Sequence, residues 1–339
     1  MNKALYGLPA HLCTAEGIEF GKTPLDYISI NIPPVCNYRC DKCFTWANKR
    51  PLDNYIGVSK IIDIISEAKE LGAKVVTILG EGEPLLCEDF KKIVEHVNKL
   101  GMITFVATNG SLLDEEMTNF CYEHNVTLAI SMDTLNESLY RDMYKGSADL
   151  NRTLKNLEYA RKIYSKSIFE KNGVKVYRLC IHTTVSANNY LHLKELTDYC
   201  GEDIYFSCEH IAKIGVANDN DKIYGGKEDN TIYNTIKNAS HSTMRPMVIA
   251  ESCNVPLACC FFYYGITIGF EGEIMLDTHA IETKQKIGNV TEFENLNSII
   301  EISNKLKNVF FESFGGGYCI IRDEKYHEFL EFLSTWRNE

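Results

Sequence analysis

From residue 27 to about residue 210, short apolar runs alternate with segments of helical periodicity, and this alternation leaves few folds open. Segments 27–32, 74–79, 102–107, 126–131, 174–185 and 203–207 read as strands. Between them, 58–71, 90–100, 114–124, 151–164 and 190–200 carry apolar residues at helical spacing, with Gly72 and Gly101 as stops. Repeated strand–helix units connect parallel strands, so the chain is α/β with a parallel sheet. Spacing alone does not separate a partial barrel from an open, doubly wound sheet.

Cys36, Cys40 and Cys43 lie on one loop, just past the first strand and Pro33-Pro34, with Phe44 following. Thiolates this close suit a metal or an iron–sulfur cluster. Three ligands leave one iron of a cubane open to another molecule. A structural zinc site wants a fourth Cys or His close by, and His11, Cys13 and Cys87 are not at that spacing. Three further polar motifs end successive strands: Gly80-Glu81-Gly82-Glu83-Pro84, Thr108-Asn109-Gly110 and Ser131-Met132-Asp133. Carboxyl ends of parallel strands are where α/β proteins hold ligands.

The Cys-x3-Cys-x2-Cys loop resembles that of the radical S-adenosylmethionine (radical SAM) enzymes. The resemblance implies a partial (β/α)6 TIM-type barrel and a [4Fe–4S] cluster on Cys36, Cys40 and Cys43, whose open iron binds SAM. Gly82, Glu83 and Pro84, after Gly80, match the family's Gly-Gly-Glu-Pro motif for the SAM amino group, with Glu81 in place of a Gly. Asn109, Ser131 and Asp133 match positions near the SAM ribose or carboxylate, and Lys145, before Gly146, is a candidate to neutralise a carboxylate. Cys208, near the end of the sixth strand, is a candidate hydrogen donor to a substrate radical.

The pattern breaks after Gly215. Segment 216–244 reads as a linker between the barrel (25–215, after an extension over 1–24) and a small α+β module over 245–339. That module holds a hairpin over 265–276 turning at Glu271-Gly272, a helix over 295–307 and a closing helix over 323–336. Cys260 precedes Gly272 by eleven intervening residues, and four more separate Gly272 from Asp277. This resembles SPASM and twitch auxiliary-cluster domains, with Asp277 where the second Cys belongs. Gly315-Gly316-Gly317-Tyr318-Cys319 resembles their final Gly-rich run to a Cys. The resemblance implies an auxiliary [4Fe–4S] cluster on Cys260 and Cys319, with Cys253, Cys259 and Asp277 competing for the remaining places.

A net charge of −11 with dispersed Lys and Arg argues against nucleic acid or an acidic membrane as partner. Thirteen cysteines scattered over 339 residues suit thiol and cluster chemistry in a reducing cytoplasm better than a disulfide frame. No signal pattern opens the chain and no apolar run reaches membrane-spanning length. The function the radical SAM resemblance implies is hydrogen abstraction by a 5′-deoxyadenosyl radical, with flavodoxin or ferredoxin as reductant. The substrate implied by the resemblance is a small sugar-, nucleoside- or antibiotic-type molecule or, alternatively, a peptide or protein under maturation. A non-catalytic iron–sulfur electron-transfer protein and a zinc-stabilised scaffold are the readings from other classes. Neither of them needs the strand-end motifs.

Overall fold

The computed structural model describes residues 2–8, 22–45, 47–212, 214–219, 231–232, 235, 262, 264–277, 286–314 and 325–336. In chain order the elements are β1 (Asn2–Leu5), β2 (Tyr27–Ile30), α1 (Gly57–Glu70), β3 (Val75–Ile78), α2 (Phe90–Lys99), β4 (Ile103–Thr108), α3 (Glu115–Glu123) and β5 (Val126–Ser131). Then follow α4 (Glu137–Tyr144), α5 (Leu150–Tyr164), β6 (Phe169–Lys171), β7 (Val174–Tyr177), β8 (Leu179–Val185), α6 (Leu193–Cys200) and β9 (Tyr205–His210). The last are β10 (Gly265–Ile268), β11 (Glu273–Met275), β12 (Lys286–Asn289), α7 (Leu296–Phe314) and α8 (Lys325–Trp336).

Six strands, β2-β3-β4-β5-β8-β9, run parallel in that order. The alternation of side chains across a strand sorts them into two cores. Ile28, Ile30, Val76, Ile78, Val106, Leu128, Ile130 and Ile181 pack in one core with apolar residues of every helix from α1 to α8. Tyr27, Val75, Phe105, Ala129, Cys180 and Tyr205 pack in another with Leu5, Leu8 and Tyr177, and no helical residue joins them among the described residues. The described helices lie on one face only and the six parallel strands share an inner core, which makes this a partial barrel. A doubly wound sheet would carry helices on both faces. Each helix is placed by its apolar stripe: α2 buries Phe90, Ile93, Val94 and Val97, at roughly 1.5–3 kcal/mol per large apolar side chain.

Segment 174–185, one strand by its sequence pattern, divides at Arg178. β7 joins β1 and β6 in a separate three-stranded sheet while β8 stays in the barrel. The Arg178 guanidinium donates to the carbonyls of Tyr122 and Val126, 2.9 and 3.1 Å away. The hairpin at 271–272 forms as its sequence predicts, and it lies in the same sheet as the barrel. β10 pairs in parallel with β2, and β11 and β12 extend the sheet antiparallel to nine strands. Short α4, which has no counterpart among the expected helices, is capped by the Asn136 side chain accepting from Leu139 N.

Candidate active site

The cysteine loop follows β2 and is buttressed from beneath by tyrosines. Tyr38 is buried, packs edge-on against Tyr140 and Tyr144, and shares hydroxyl hydrogen bonds with Tyr140 (3.2 Å) and Thr153 (3.3 Å). The end of α4 holds the loop's backbone: Arg39 N donates to Tyr144 O at 2.9 Å and Asp41 N to Met143 O at 3.2 Å. Gly146 then fits where no other residue does. Its φ is +63°, and a Cβ there would stand 2.7 Å from the Asn37 carbonyl oxygen. Lys145 beside it is exposed, and its charge opposes the upward push that burial gives the Asp41 carboxyl. From the far side, Val216 N donates to Cys43 O at 2.9 Å.

The three thiols suit cluster donors. Cys36, Cys40 and Cys43 are partly exposed free cysteines on one loop. Burial pushes the Cys36 thiol up to about 11, and burial followed by the neighbouring Cys43 raises Cys40 further. Thiolates that repel one another in a partly desolvated loop need a cationic centre to hold them deprotonated. Among the described residues no three His, Cys, Asp or Glu side chains converge on a single-ion site. Cluster donors each cap a separate iron, and three thiols on one loop suit that arrangement.

The 80–84 loop is locked to the cysteine loop through main chain. Glu83 N donates to Val35 O at 2.8 Å, and a Cβ on Gly82 would lie 2.3 Å from that same oxygen. Glu83 is fully buried, and its carboxylate accepts from Thr108 Oγ1 (2.5 Å), Leu85 N (3.1 Å) and Asn109 N (2.8 Å). Burial raises its pKa, and those three donors oppose the rise. Asn109 Nδ2 in turn donates to Asn37 Oδ1 at 2.9 Å, so the third strand end grips the cysteine loop. Pro84 opens the short 3-10 turn that Glu83 caps.

Asp133, at the end of β5, is completely buried. It pairs with Lys42, between two of the cysteines, and accepts from Thr184 N at 3.0 Å. Burial lowers Lys42 to about 8 while the neighbouring Cys40 and Asp41 oppose that fall. The Lys42 ammonium lies 5.1 Å from the Tyr144 ring centre. Asp133 therefore ties the cysteine loop to β5 and β8. Ser131, two residues before it, is half-buried, makes no side-chain hydrogen bond among the described residues, and pairs in register with His182. His182 Nδ1 is 3.3 Å from Ser207 Oγ and its Nε2 is 3.6 Å from Glu209, a supporting position.

These contacts bring the three cysteines, Gly80, Gly82, Glu83, Pro84, Asn109, Ser131 and Asp133 to one end of the parallel sheet. Cys208 is different: it packs in the helix-facing core with Phe206, where burial pushes its thiol up to about 12. That packing turns the thiol away from the barrel interior, so the hydrogen-donor expectation lacks a reachable side chain. Cys253, Cys259, Cys260 and Cys319 lie outside the described residues. Asp277 is buried just past β11, where its charge opposes the burial that lowers Lys307 to about 7; Lys307 Nζ donates to Gly265 O at 2.6 Å. Val35, Asn37, Lys42, Thr45 and Arg50 were not singled out by motif. Only Glu81, standing where the motif has Gly, hinted that extra partners were needed.

Residues 30–177, which hold all four strand-end elements of this site, match the Radical SAM superfamily model. Over this segment the chain is similar to the radical SAM superfamily. It is 28% identical over 226 residues to the tungsten-containing aldehyde ferredoxin oxidoreductase cofactor-modifying protein of Pyrococcus furiosus, covering 64% of this chain and 61% of that one. The chain spans between about a third and three fifths of the length of the curated relatives it matches. Among solved structures, Streptococcus suis SuiB bound to precursor peptide SuiA superposes with a TM-score of 0.61 at 20% identity, over 83% of this chain and 65% of that one. The protein anSMEcpe with bound AdoMet (SAM) superposes at 0.60 and 16% identity, over 92% of this chain and 95% of that one. At these identities the likeness is one of fold, and it extends the radical SAM barrel into the C-terminal strands and helices.

Proposed function

We propose that this chain is a radical SAM enzyme that cleaves SAM reductively and abstracts hydrogen from a small organic substrate. The observation that carries the reading is the mutual locking of three motifs. Val35 and Asn37 of the cysteine loop are held by Gly82 and Glu83 after β3 and by Asn109 after β4. Cys36, Cys40 and Cys43 would hold a [4Fe–4S] cluster. When bound, it supplies the open iron and the electron that convert SAM to a 5′-deoxyadenosyl radical. Three of the roughly four acceptor positions on the Glu83 carboxylate are occupied by protein donors, leaving one for an ammonium group. Ser131, with its hydroxyl uncommitted, is placed to take a ribose hydroxyl. Lys42 and Asp133 fix the loop's height over β5, and Lys145 stands at its exposed edge as a partner for a carboxylate.

The small-molecule reading is supported by the Pyrococcus furiosus relative, whose name describes a cofactor-modifying protein. An auxiliary [4Fe–4S] cluster on Cys260 and Cys319, completed from Cys253, Cys259 and Asp277, would serve as acceptor for a second electron in an oxidative outcome. A flavodoxin or ferredoxin would supply the first. Dithionite-reduced, cluster-loaded protein incubated with SAM is expected to release 5′-deoxyadenosine. Fully loaded protein that releases none overturns the enzymatic reading. Iron counting tests the auxiliary cluster: a content of about four irons per chain, unchanged in C260A/C319A, removes it.

A further inference from the structure

Position 81 breaks the Gly-Gly-Glu-Pro pattern with a carboxylate that is 2% exposed. A buried carboxylate is costly unless partnered, and its two partners are Asn31 and Arg50. Asn31 Nδ2 lies 3.4 Å from Glu81 Oε1, and Arg50 Nη1 donates to Glu81 Oε2 at 2.8 Å. The other arm of the same guanidinium, Nη2, pairs with Glu271 and, at 2.5 Å, with Glu273. Lys286 on β12 completes the group, 2.7 Å from Glu273. The guanidinium carbon sits 4.4 Å from the centre of the Phe270 ring, which fixes its plane. On the other side, the Glu81 carbonyl accepts from Thr45 Oγ1 at 2.9 Å, and that hydroxyl is 3.2 Å from Cys43 Sγ.

A continuous set of contacts thus runs from a cluster cysteine through the SAM loop to the C-terminal hairpin, with one guanidinium at its centre. We propose that Arg50 is a positioning residue: it clamps Glu81, and with it the 80–84 loop, to the turn between β10 and β11, so that the C-terminal hairpin sets the geometry of the SAM amino-group site. The proposal rests on the radical SAM reading. Three carboxylates (Glu81, Glu271, Glu273) face two cations (Arg50, Lys286), so removing Arg50 leaves like charges repelling across the joint between loop and hairpin. A lysine preserves the charge and cannot reproduce the fork that spans Glu81 and the hairpin carboxylates.

The test uses the full chain, reconstituted without oxygen, and reads SAM binding from the electron paramagnetic resonance of the reduced cluster as SAM is added. The native spectrum is expected to change with SAM. In Arg50→Met the dissociation constant is expected to rise about tenfold or more, with iron content preserved, and Arg50→Lys should recover part of the loss. Glu81→Gln, which keeps the side-chain shape, provides a second variant should Arg50→Met fold poorly, and a severalfold weakening is expected there. A lowered melting temperature with native SAM titrations in both Arg50→Met and Glu81→Gln would make the clamp merely structural and overturn the proposal alone. A native chain whose fully loaded cluster ignores SAM would overturn the parent reading as well.

Discussion

Replacing Glu83 by Gln asks whether this carboxylate braces the site or only meets SAM. Its two oxygens accept from two backbone amides and one hydroxyl, all buried. A glutamine presents one oxygen and one NH2. If the NH2 faces Asn109 N, that amide loses its acceptor. If it faces the other way, the Thr108 hydroxyl can turn to accept, and Leu85 N loses its partner instead. Either orientation leaves one buried backbone donor opposed by another donor, at about 1–3 kcal/mol, and removes hydrogen bonds strengthened by charge, each worth about 1.5–3 kcal/mol against about 1 for neutral ones. Release of a buried charge offsets part of this, because burial already raises the Glu83 pKa. The net expectation is about 2–3 kcal/mol of lost stability. For a chain this long that corresponds to a fall of roughly 3–4 °C in melting temperature. Thermal unfolding of the metal-free protein followed by circular dichroism measures it without any contribution from SAM. An E83Q variant that melts with the native chain, yet no longer binds SAM when loaded, would refute the bracing argument and leave Glu83 a ligand contact alone.

Two further outcomes follow from the same geometry. Gly146→Ala forces a Cβ to 2.7 Å from the Asn37 carbonyl at a left-handed backbone angle, so the cysteine loop should shift. At about 1–3 kcal/mol of strain, iron incorporation per chain should fall with the barrel's far-ultraviolet dichroism intact, and native iron content would contradict it. Burial tends to raise Glu273, but Lys286 and Arg50 outweigh it and hold the carboxyl down to about 2. A depressed carboxyl stabilises the fold above its unfolded value of 4.5 and loses that contribution as pH falls toward 2. The neighbouring Glu81, raised by burial, changes in the opposite sense. The melting-temperature gap between native chain and Glu273→Gln should therefore narrow as pH falls through this window, and a gap constant from pH 6 to 3 would show that the pairing contributes nothing.

Much of this protein is local in origin and was legible in order along the chain. Strand and helix periods, the Gly stops, the hairpin turn at 271–272 and the spacing of Cys36, Cys40 and Cys43 all depend on neighbours within a few residues. Periodicity reports such short-range relations directly. The choice of barrel over doubly wound sheet was not local, because both use the same strand–helix units. It became visible only when every described helix was found on one face of the sheet. Tertiary structure also decided the partners of charged residues. Lys42 sits in the cysteine motif, but its partner Asp133 lies past β5, and Arg50 joins Glu81, 31 positions after it, to Glu271 and Glu273, more than 220 positions after it. Sequence determines which side chains carry charge. Burial and long-range closure of the chain determine which of those charges must meet, since a desolvated carboxylate is stable only where folding delivers a counter-charge or, as at Glu83, a full set of hydrogen-bond donors.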